Sequence, residues 1–533
     1  MSQRIESLAA SLRALFTVFV LTAALGLAAC DRQRPEFTII SGSENKSLEP
    51  IVEAFCQKQR VTCHVNYKGS LDIGLAIAEN RIDFDAVWPA NSIWIDLFDK
   101  RRVVRDLTPI MRSPVILGVR RSKAEDLGWV GRDVTTADIV EAVKAKRLTF
   151  LMTSATQSNS GAGAYVAMLS AALGHPDAIS VEDLEKPGVR DMVRTLLSGV
   201  RRTAGSSGWL ADLYLKGIEQ GVRYDAIWNY EAVIAETNQK LAERKAELLY
   251  AVYPSDGVAF ANSPLGFVDR GNHGEERRKF FQELQAHLLS PEVQSQLVAQ
   301  FRRPAVGEAT TGTAQPDWNY DPRRLVTLIR MPQADVVRAA LNLYQEVLRR
   351  PSLTAYCLDF SGSMKGKGEN ALKEAMAFVL RPAEASTMLV QYGREDRILI
   401  LPFDSNVRAV IEGTGSEADQ ARLLAVIQNE RANDGTDIYT CAERAMDVMA
   451  SVPDRERYLA AIALMTDGKS EVKNREAFLQ RWRASGGELP VFGITFGDAD
   501  RSQLEQLAET TRARVFDGTK NLREAFRTLR GYN

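Results

Sequence analysis

The amino-acid sequence predicts an α/β protein with two separate sheets that are rich in parallel strands. Short apolar strands alternate with amphipathic helical segments in two runs, one before residue 305 and one after residue 352. Between these runs the apolar periodicity disappears in a stretch rich in Thr, Gly, Pro and Asp. A chain of 533 residues is also too long for one core. We therefore expect domains over 36–305 and 352–533, joined by a linker and a connecting helix over 306–351.

The overall composition is that of an ordinary globular protein. Hydrophobic residues make up 45% of the chain and charged residues 25%, and the formal net charge is -1. A nucleic-acid binder needs a concentrated basic face, and the sequence has no long block of like charges. We therefore expect no nucleic-acid partner.

The first thirty residues have the features of a targeting segment. Arg4 and Arg13 are followed by the apolar stretch 14–29, which is short for a transmembrane helix of about 20 residues. The stretch ends in Leu-Ala-Ala-Cys, which resembles the lipobox of bacterial lipoproteins. The resemblance implies a signal peptide over 1–30 and lipidation of Cys30, with stable membrane anchoring by several acyl chains. An uncleaved anchor is the alternative.

The residue after the lipobox bears on location. Asp31 directly follows the cysteine and resembles the inner-membrane retention signal of Gram-negative lipoproteins. The two resemblances imply a protein of the bacterial cell envelope, lipid-anchored on the periplasmic face, with the inner membrane as its membrane.

Four further cysteines remain in the exported chain. An oxidising compartment permits disulfides, and we expect the pairs Cys56–Cys63 and Cys357–Cys441 because each pair lies within one domain. Small buried thiols are the alternative.

The N-terminal half alternates between strands and helices from its start. FTIISGS, VTCHVNYKGS and FDAVWPANS are predicted strands, and LEPIVEAFCQKQR and LDIGLAIAEN are predicted helices between them. SPVILGVR and LTFLMTSA follow as strands, and TQSNSGAGAYVAMLSAAL is a turn that leads into a helix. This order predicts a parallel sheet with helices on both faces.

These segments resemble the two-lobed periplasmic solute-binding proteins of the molybdate and phosphate type. The resemblance implies a two-lobed periplasmic-binding-protein-like fold whose cleft binds a small oxyanion or, if that binding is lost, docks a partner. Hydroxyls and backbone amides at helix N-termini suit such an anion, whereas capping and turns are the alternative role of each serine. The implied ligand-binding residues are Ser41, Ser43, Ser70, Asn91, Ser92, Ser158, Asn159, Ser160, Gly161 and Tyr230.

The C-terminal half carries a cluster of oxygen-bearing side chains. LTAYCLD, RILILPFD, AAIALMTD and PVFGITF are predicted strands, and Asp359, Ser361 and Ser363 follow the first of them. A serine nucleophile needs a neighbouring base, but all four histidines precede residue 300. The sequence also has no Walker motif. We therefore expect a protein that is not an enzyme.

A metal site explains the cluster better. Ligands gather at the carboxyl ends of parallel strands. Asp467 comes at the end of an apolar predicted strand, and Thr436 lies in a loop at the start of a predicted helix. This pattern resembles the metal-ion-dependent adhesion site of von Willebrand factor A domains, although Asp434 stands where a glycine is common. The resemblance implies a Rossmann-like domain that holds Mg²⁺ or another divalent cation, with a carboxylate of a protein partner completing the coordination. The implied ligands are Asp359, Ser361, Ser363, Thr436 and Asp467.

Together these features predict a membrane-tethered binding, adhesion or sensor lipoprotein. The receptor-like domain would bind a small ligand or dock a partner, and the adhesion site would bind a protein. The alternative is the solute-binding receptor of an ABC-type importer that carries an accessory adhesion domain.

Overall fold

The structure is a computed structural model, and part of the chain is described in it. The described residues are 34–271, 274–307, 309, 312–433, 435–467, 470–495, 501–519 and 521–532. The predictions for the signal peptide, Cys30, Asp31 and Asp434 lie outside these residues. Among the residues that are described, no helix is long and apolar enough to cross a membrane.

Strands are numbered here in chain order. They are β1 (Glu36–Gly42), β2 (Thr62–Lys68), β3 (Ala86–Trp88), β4 (Val104–Pro109), β5 (Met111–Arg120), β6 (Phe150–Thr153), β7 (Val200–Ala204), β8 (Ala226–Tyr230), β9 (Leu249–Val252), β10 (Phe260–Ala261), β11 (Pro264–Val268), β12 (Arg303–Pro304), β13 (Ser352–Asp359), β14 (Arg397–Phe403), β15 (Ile411–Thr414), β16 (Leu459–Thr466), β17 (Val491–Thr495) and β18 (Val515–Asp517).

The α-helices are numbered in the same way. They are α1 (Glu49–Lys58), α2 (Ser70–Ala78), α3 (Ile93–Phe98), α4 (Arg121–Asp126), α5 (Thr136–Lys144), α6 (Asn159–Ala172), α7 (Pro187–Ser198), α8 (Ser207–Glu219), α9 (Glu231–Glu243), α10 (Glu275–Leu288), α11 (Pro291–Ala299), α12 (Ala334–Leu343), α13 (Lys367–Leu380), α14 (Pro382–Thr387), α15 (Glu417–Asn429), α16 (Ile438–Ala450), α17 (Arg475–Ala484), α18 (Arg501–Thr510) and α19 (Leu522–Leu529).

The N-terminal half forms two sheets and therefore two lobes. The first sheet has the order β2-β1-β3-β11-β4, and the second has the order β10-β5-β8-β6-β7, with β9 and β12 also paired to β5. The chain passes from the first lobe to the second between β4 and β5 and returns between β10 and β11. These crossings place the cleft that the resemblance implies between the two lobes.

Both N-terminal sheets are mixed rather than purely parallel. β1 runs parallel to β2 and β3, but β11 runs antiparallel to β3 and β4. In the second lobe β6 is parallel to β7 and β8, whereas β5 is antiparallel to β8 and β9. The antiparallel strands flank the two crossings, because a chain that leaves or re-enters a lobe does so without the helix that a parallel connection requires.

The C-terminal half forms one six-stranded sheet in the order β15-β14-β13-β16-β17-β18. All neighbours pair in parallel except β14 and β15. Alternate residues of β13 enter different cores: Cys357 packs with α16 and α17, and Tyr356 packs with α13 and α19. A sheet covered on both faces explains why this strand is buried along its whole length.

The segment between the halves is packed rather than extended. The rings of Trp318 and Tyr320 stack with centroids 4.8 Å apart, and Phe301 lies edge-on to both. The connecting helix is α12, and its Ala340 carbonyl accepts a hydrogen bond of 2.9 Å from Tyr165 of the second lobe. The two halves are therefore connected through a buried helix.

Both expected cysteine pairs are joined in the structure. Cys56 of α1 bonds to Cys63 of β2, and Cys357 of β13 bonds to Cys441 of α16.

Candidate functional site

The candidate metal site lies at the carboxyl ends of β13 and β16. Asp359 is the last residue of β13, and Thr466 is the last residue of β16. The neighbouring strands are in register, so Asp467 follows at the same edge of the sheet as the Ser361 loop. The parallel topology thus gathers residues that are more than a hundred positions apart.

Four of the five predicted ligands form one hydrogen-bonded group. The Asp359 carboxylate accepts from the Ser361 backbone N–H at 2.8 Å. The Ser361 and Ser363 hydroxyl oxygens are 3.1 Å apart. Ser363 in turn donates to Asp467 Oδ1 at 2.7 Å. The hydroxyls and carboxylates of these four residues therefore point into one small volume.

The group extends from the protein interior to the surface. Asp359 and Ser361 are buried, Asp467 is half-buried and Ser363 is exposed. A cation bound to these oxygens would contact Asp359 on its buried side. On the side of the exposed Ser363, it would be accessible to solvent or to another protein.

Electrostatics at the base of the group favour a cation. Burial raises the pKa of Asp359 to about 6, and hydrogen bonds from Thr466 (2.6 Å) and Ser361 oppose the rise. Among the described residues, no Lys or Arg lies within ion-pair distance of this carboxylate. A positive charge placed here would therefore relieve the cost of burying it.

Thr436 lies on a neighbouring loop but is not bonded to the other four. Its backbone carbonyl accepts from Glu471 N–H at 2.9 Å, and Asn433 N–H donates to Phe360 O at 2.8 Å. These bonds tie the Thr436 loop to the segments that follow β13 and β16. Between described residues, no hydrogen bond joins the Thr436 side chain to Asp359, Ser361, Ser363 or Asp467.

The donor set fits a hard divalent cation. Two carboxylates and several hydroxyls are the oxygen ligands that Mg²⁺ prefers, and Mg²⁺ keeps several waters. The described part of the chain has no group of three or more His, Cys, Asp or Glu side chains suited to a metal. A site here would therefore depend on its serine and threonine oxygens.

The predicted ligand-binding residues of the N-terminal half occupy two settings. In the second lobe, Ser207 Oγ lies 3.1 Å from Ser158 Oγ and 2.9 Å from Ser160 Oγ, at the start of α6 and α8. Asn159 donates to the Tyr230 hydroxyl at 3.0 Å. These residues form one polar cluster at two helix N-termini, which is an arrangement that suits anions.

The first-lobe residues lie opposite or beside this cluster. Ser43 Oγ accepts from Gly208 N–H at 3.1 Å, so it reaches across to the second lobe. Ser41 accepts from Asn45 at 3.1 Å, and Ser70 accepts from Ala90 N–H at 2.9 Å within the first lobe. Both hydroxyls are thus engaged inside their own lobe.

Of the remaining predicted residues, Asn91 and Ser92 contact the segment that returns from the second lobe to the first, and Gly161 allows two elements of the second lobe to pack closely. Asn91 donates to Phe260 O at 2.9 Å, and Ser92 bonds to Asn262, so both contact the chain where it returns to the first lobe. At Gly161 a β-carbon would lie 2.1 Å from the Thr153 carbonyl oxygen. Only glycine lets α6 pack this closely on β6.

The two lobes are in contact across the predicted cleft. A β-carbon on Gly69 of the first lobe would lie 2.3 Å from the Gln157 carbonyl oxygen and 2.8 Å from that of Gly205. These short distances, together with the bond between Ser43 and Gly208, describe a closed cleft.

Sequence reasoning missed an acidic residue in this cleft. Glu44 folds back on Gly42, and its Oε1 is shut off from solvent with no hydrogen-bond partner. Burial raises the pKa of Glu44 to about 7, and its charge contributes to raising the pKa of Tyr230, which burial already raises. A glutamate directly after the Ser41-Gly42-Ser43 stretch was the signal that could have revealed it.

Sequence reasoning also missed that the end of the C-terminal domain reaches the cleft. Gln157 donates to the carbonyl oxygens of Arg527 and Thr528 at 2.7 and 3.1 Å. The Arg527 guanidinium pairs with Asp72 of α2 in the first lobe, and both side chains are buried. The residue pattern of α19 gave no indication that this helix contacts the N-terminal half, because the contact depends on how the two halves pack.

Comparisons with known proteins identify the two halves. Residues 38–303 match the family model described as bacterial extracellular solute-binding protein, and residues 355–514 match the model described as von Willebrand factor type A domain. No curated protein sequence matches the chain. The predicted α/β fold class, a two-lobed periplasmic-binding-protein-like unit followed by a von Willebrand factor A domain, is confirmed.

Solved structures resemble one half or the other at low identity. The sulfate-binding protein SubI from Mycobacterium tuberculosis H37Rv is 17% identical, with 51% of this chain and 87% of that one covered and a TM-score of 0.37. Iron-bound HitA from Pseudomonas aeruginosa is 14% identical, with 58% and 98% covered and a TM-score of 0.42. A von Willebrand factor type A structure from Catenulispora acidiphila is 18% identical, with 34% and 42% covered and a TM-score of 0.30.

Proposed function

We propose that this chain, which joins a solute-binding domain to a von Willebrand factor A domain, is a lipid-anchored binding protein of the bacterial cell envelope. Its C-terminal domain captures a partner protein in a metal-dependent manner, and its N-terminal domain is the body on which that domain is fixed. The observation that carries the proposal is the convergence of Asp359, Ser361, Ser363 and Asp467 in one hydrogen-bonded group at the sheet edge.

Each residue of the group has a part in this proposal. Asp359 provides a buried negative charge, and the Thr466 and Ser361 bonds keep its carboxylate oriented. Ser361, Ser363 and Thr436 provide neutral oxygens, and Asp467 provides the second carboxylate. When bound, Mg²⁺ or another divalent cation would supply a positive charge that attracts an Asp or Glu of the partner protein. Nothing in this chemistry breaks a covalent bond, so we propose binding without catalysis.

The anchoring of the protein belongs to the same proposal. Lipidation of Cys30, with Asp31 behind it, would hold the protein on the periplasmic face of the inner membrane. The solute-binding domain supports an extracellular or periplasmic location.

Binding of Mn²⁺ tests the metal site directly. We expect electron paramagnetic resonance to detect Mn²⁺ bound to the full chain, with Mg²⁺ competing for it. Asp359→Ala and Asp467→Ala remove one of two carboxylates each and should weaken Mn²⁺ binding at least tenfold, which is about 1.4 kcal/mol. Glu374→Ala is the control, since Glu374 lies exposed on α13 of the same domain.

Capture of envelope proteins tests the proposed use of the site. Capture should depend on Mg²⁺, stop in a chelator and fail in both aspartate variants while their circular dichroism stays that of the wild type. Capture that persists in the chelator and in both variants would refute the proposal.

A second candidate function rests on the polar cluster of the N-terminal half. The hydroxyls of Ser158, Ser160 and Ser207 converge at two helix N-termini, where a small oxyanion could bind if the lobes opened. In that case the chain would be the receptor of an ABC-type importer.

A further inference from the structure

A cavity of about 650 Å³ lies between the second lobe and the von Willebrand factor A domain. Its walls come from the start of β7, from the residues that precede β16 and β17, and from the end of α18. It therefore lies at the amino ends of the C-terminal strands, opposite the candidate metal site. Its volume is within the range of small-molecule sites.

Positive charge dominates the walls of this cavity. They carry five arginines and two glutamates, namely Arg201, Arg202, Arg350, Arg455, Arg512, Glu456 and Glu488. Glu488 already pairs with Arg201. For the other four arginines, no carboxylate of the described residues lies within ion-pair distance. The two glutamates therefore neutralise only part of the positive charge of the cavity.

Two of these arginines are buried with no carboxylate of the described residues at ion-pair distance. Arg202 is 7% exposed and Arg512 is 4% exposed. Arg202 donates to the Arg512 carbonyl at 2.9 Å, and Arg512 donates to Gln220 and to the Gly487 carbonyl. The Nε atoms of both are shut off from solvent and lack hydrogen-bond partners.

A buried guanidinium without a counter-charge is costly. Burial lowers the pKa of Arg202 to about 10, Tyr224 and Glu488 oppose the lowering and Arg512 adds to it, so the group still carries its proton near neutral pH. Removing a charge from water costs several kcal/mol unless an opposite charge replaces the water. Such an arrangement indicates that an anion completes the site.

Two further arginines stand where an anion would enter. Arg350 is fixed by hydrogen bonds to the carbonyls of Val200 (2.8 Å) and Arg457 (3.0 Å). Arg455 is half-buried, and its side chain makes no hydrogen bond or ion pair with the described residues. Arg455 is therefore the side chain that is free to turn toward a ligand.

We propose that this cavity binds a small soluble polyanion that carries phosphate groups. Arginine guanidiniums bind phosphate oxygens well, and five of them line one volume, in which the Arg455 side chain makes no hydrogen bond to the described residues. The cavity is a cleft between two domains that is partly open to solvent, and a free small molecule fits such a cleft better than a flat membrane surface does. Because both domains contribute arginines, the ligand would also hold them together.

The test uses inorganic pyrophosphate and the full chain in metal-free buffer with a chelator. The chelator separates this site from the proposed metal site. We expect saturable binding by isothermal titration calorimetry, weakened by added salt, and a higher unfolding temperature. Arg455→Gln removes no hydrogen bond or ion pair between described residues and should weaken pyrophosphate binding roughly tenfold, the effect of one charged hydrogen bond.

Matched variants decide the outcome. Arg444→Gln, at an exposed position on α16, should bind pyrophosphate like the wild type. Arg202→Met should abolish pyrophosphate binding. If this substitution weakens the fold, Arg455→Gln still tests the contribution of the cavity to binding. Absence of saturable binding to the wild type, or equal affinity in Arg455→Gln and Arg444→Gln, would overturn the proposal. Binding to anionic vesicles but not to pyrophosphate would also overturn it.

Discussion

At the scale of single residues, Glu44 gives the cleft an anion of its own. The serine hydroxyls and helix N-termini around it are the groups that solute-binding proteins can offer to a bound oxyanion. In this chain a carboxyl oxygen already lies among them, buried and without a hydrogen-bond partner. The charge state of Glu44 therefore affects the stability of the closed cleft.

Glu44 makes stability depend on pH. Its folded-state pKa of about 7 is above the ordinary 4.5, so the unfolded chain releases this proton first as the pH rises. The stabilisation is complete below pH 4.5 and is lost between about pH 4.5 and 7, by up to about 3 kcal/mol. Thermal unfolding at a series of pH values should show this loss in the wild type and not in Glu44→Gln.

The control for this prediction is Glu53→Gln, at an exposed position on α1. It should keep the pH profile of the wild type. If Glu44→Gln kept that profile as well, Glu44 would not be the group responsible.

The sequence allowed some site residues to be predicted and not others. Asp359, Ser361 and Ser363 are close together in the chain, and the strand pattern places Asp467 at the same sheet edge. Glu44 and Arg202 owe their environments to the contact between lobes and between domains. No spacing within the sequence encodes those contacts.

At the scale of elements, strand prediction worked for the four buried strands in the middle of the C-terminal sheet. β13, β14, β16 and β17 were all expected from runs of apolar residues. β7, β15 and β18 were missed, since they are short and contain Arg, Glu or Asp. Edge positions permit such residues because one side of the strand faces solvent or another element.

The packing of α19 on the first lobe gives a prediction at this scale. Asp72→Ala would leave Arg527 buried without its partner, and such a loss costs about 3–5 kcal/mol. Denaturant unfolding should show the loss in Asp72→Ala. Asp72→Ala with Arg527→Met should recover part of it, because the unpaired charge is then absent.

Asp96→Ala is the matched control, since Asp96 lies exposed on α3. Its stability should equal that of the wild type. A stability for Asp72→Ala close to that of Asp96→Ala would show that the buried pair contributes little.

At the scale of the whole molecule, the closed lobes and the C-terminal helix act on the same cleft. Gly69 contacts Gln157 and Gly205, and Gln157 in turn holds the end of α19. The α/β class could be predicted from periodicity. The way the C-terminal domain packs onto the lobes could not, because each half has a complete hydrophobic pattern of its own.

Oxyanion binding distinguishes a docking body from a transport receptor. At pH 8 Glu44 is ionised and the cleft is closed, so we expect sulfate and molybdate to leave the unfolding temperature of the wild type unchanged. Glu44→Gln removes the competing charge and should gain saturable stabilisation.

The opposite result would favour the importer receptor. It would consist of saturable stabilisation of the wild type by sulfate or molybdate that is lost in Ser160→Ala. Arg455→Gln should keep that stabilisation, which assigns the effect to the cleft rather than to the arginine-lined cavity.

The disulfide between Cys357 and Cys441 links two segments that contribute to the candidate metal site. It links the strand that ends in Asp359 to the helix that follows Thr436, and it closes a loop with a sequence separation of 84 residues. Such a closure removes about 4–5 kcal/mol of chain entropy from the unfolded state. Two parts of one site are thus joined only after oxidation. We expect reduction of this bond to lower the unfolding temperature of the domain that carries the candidate site.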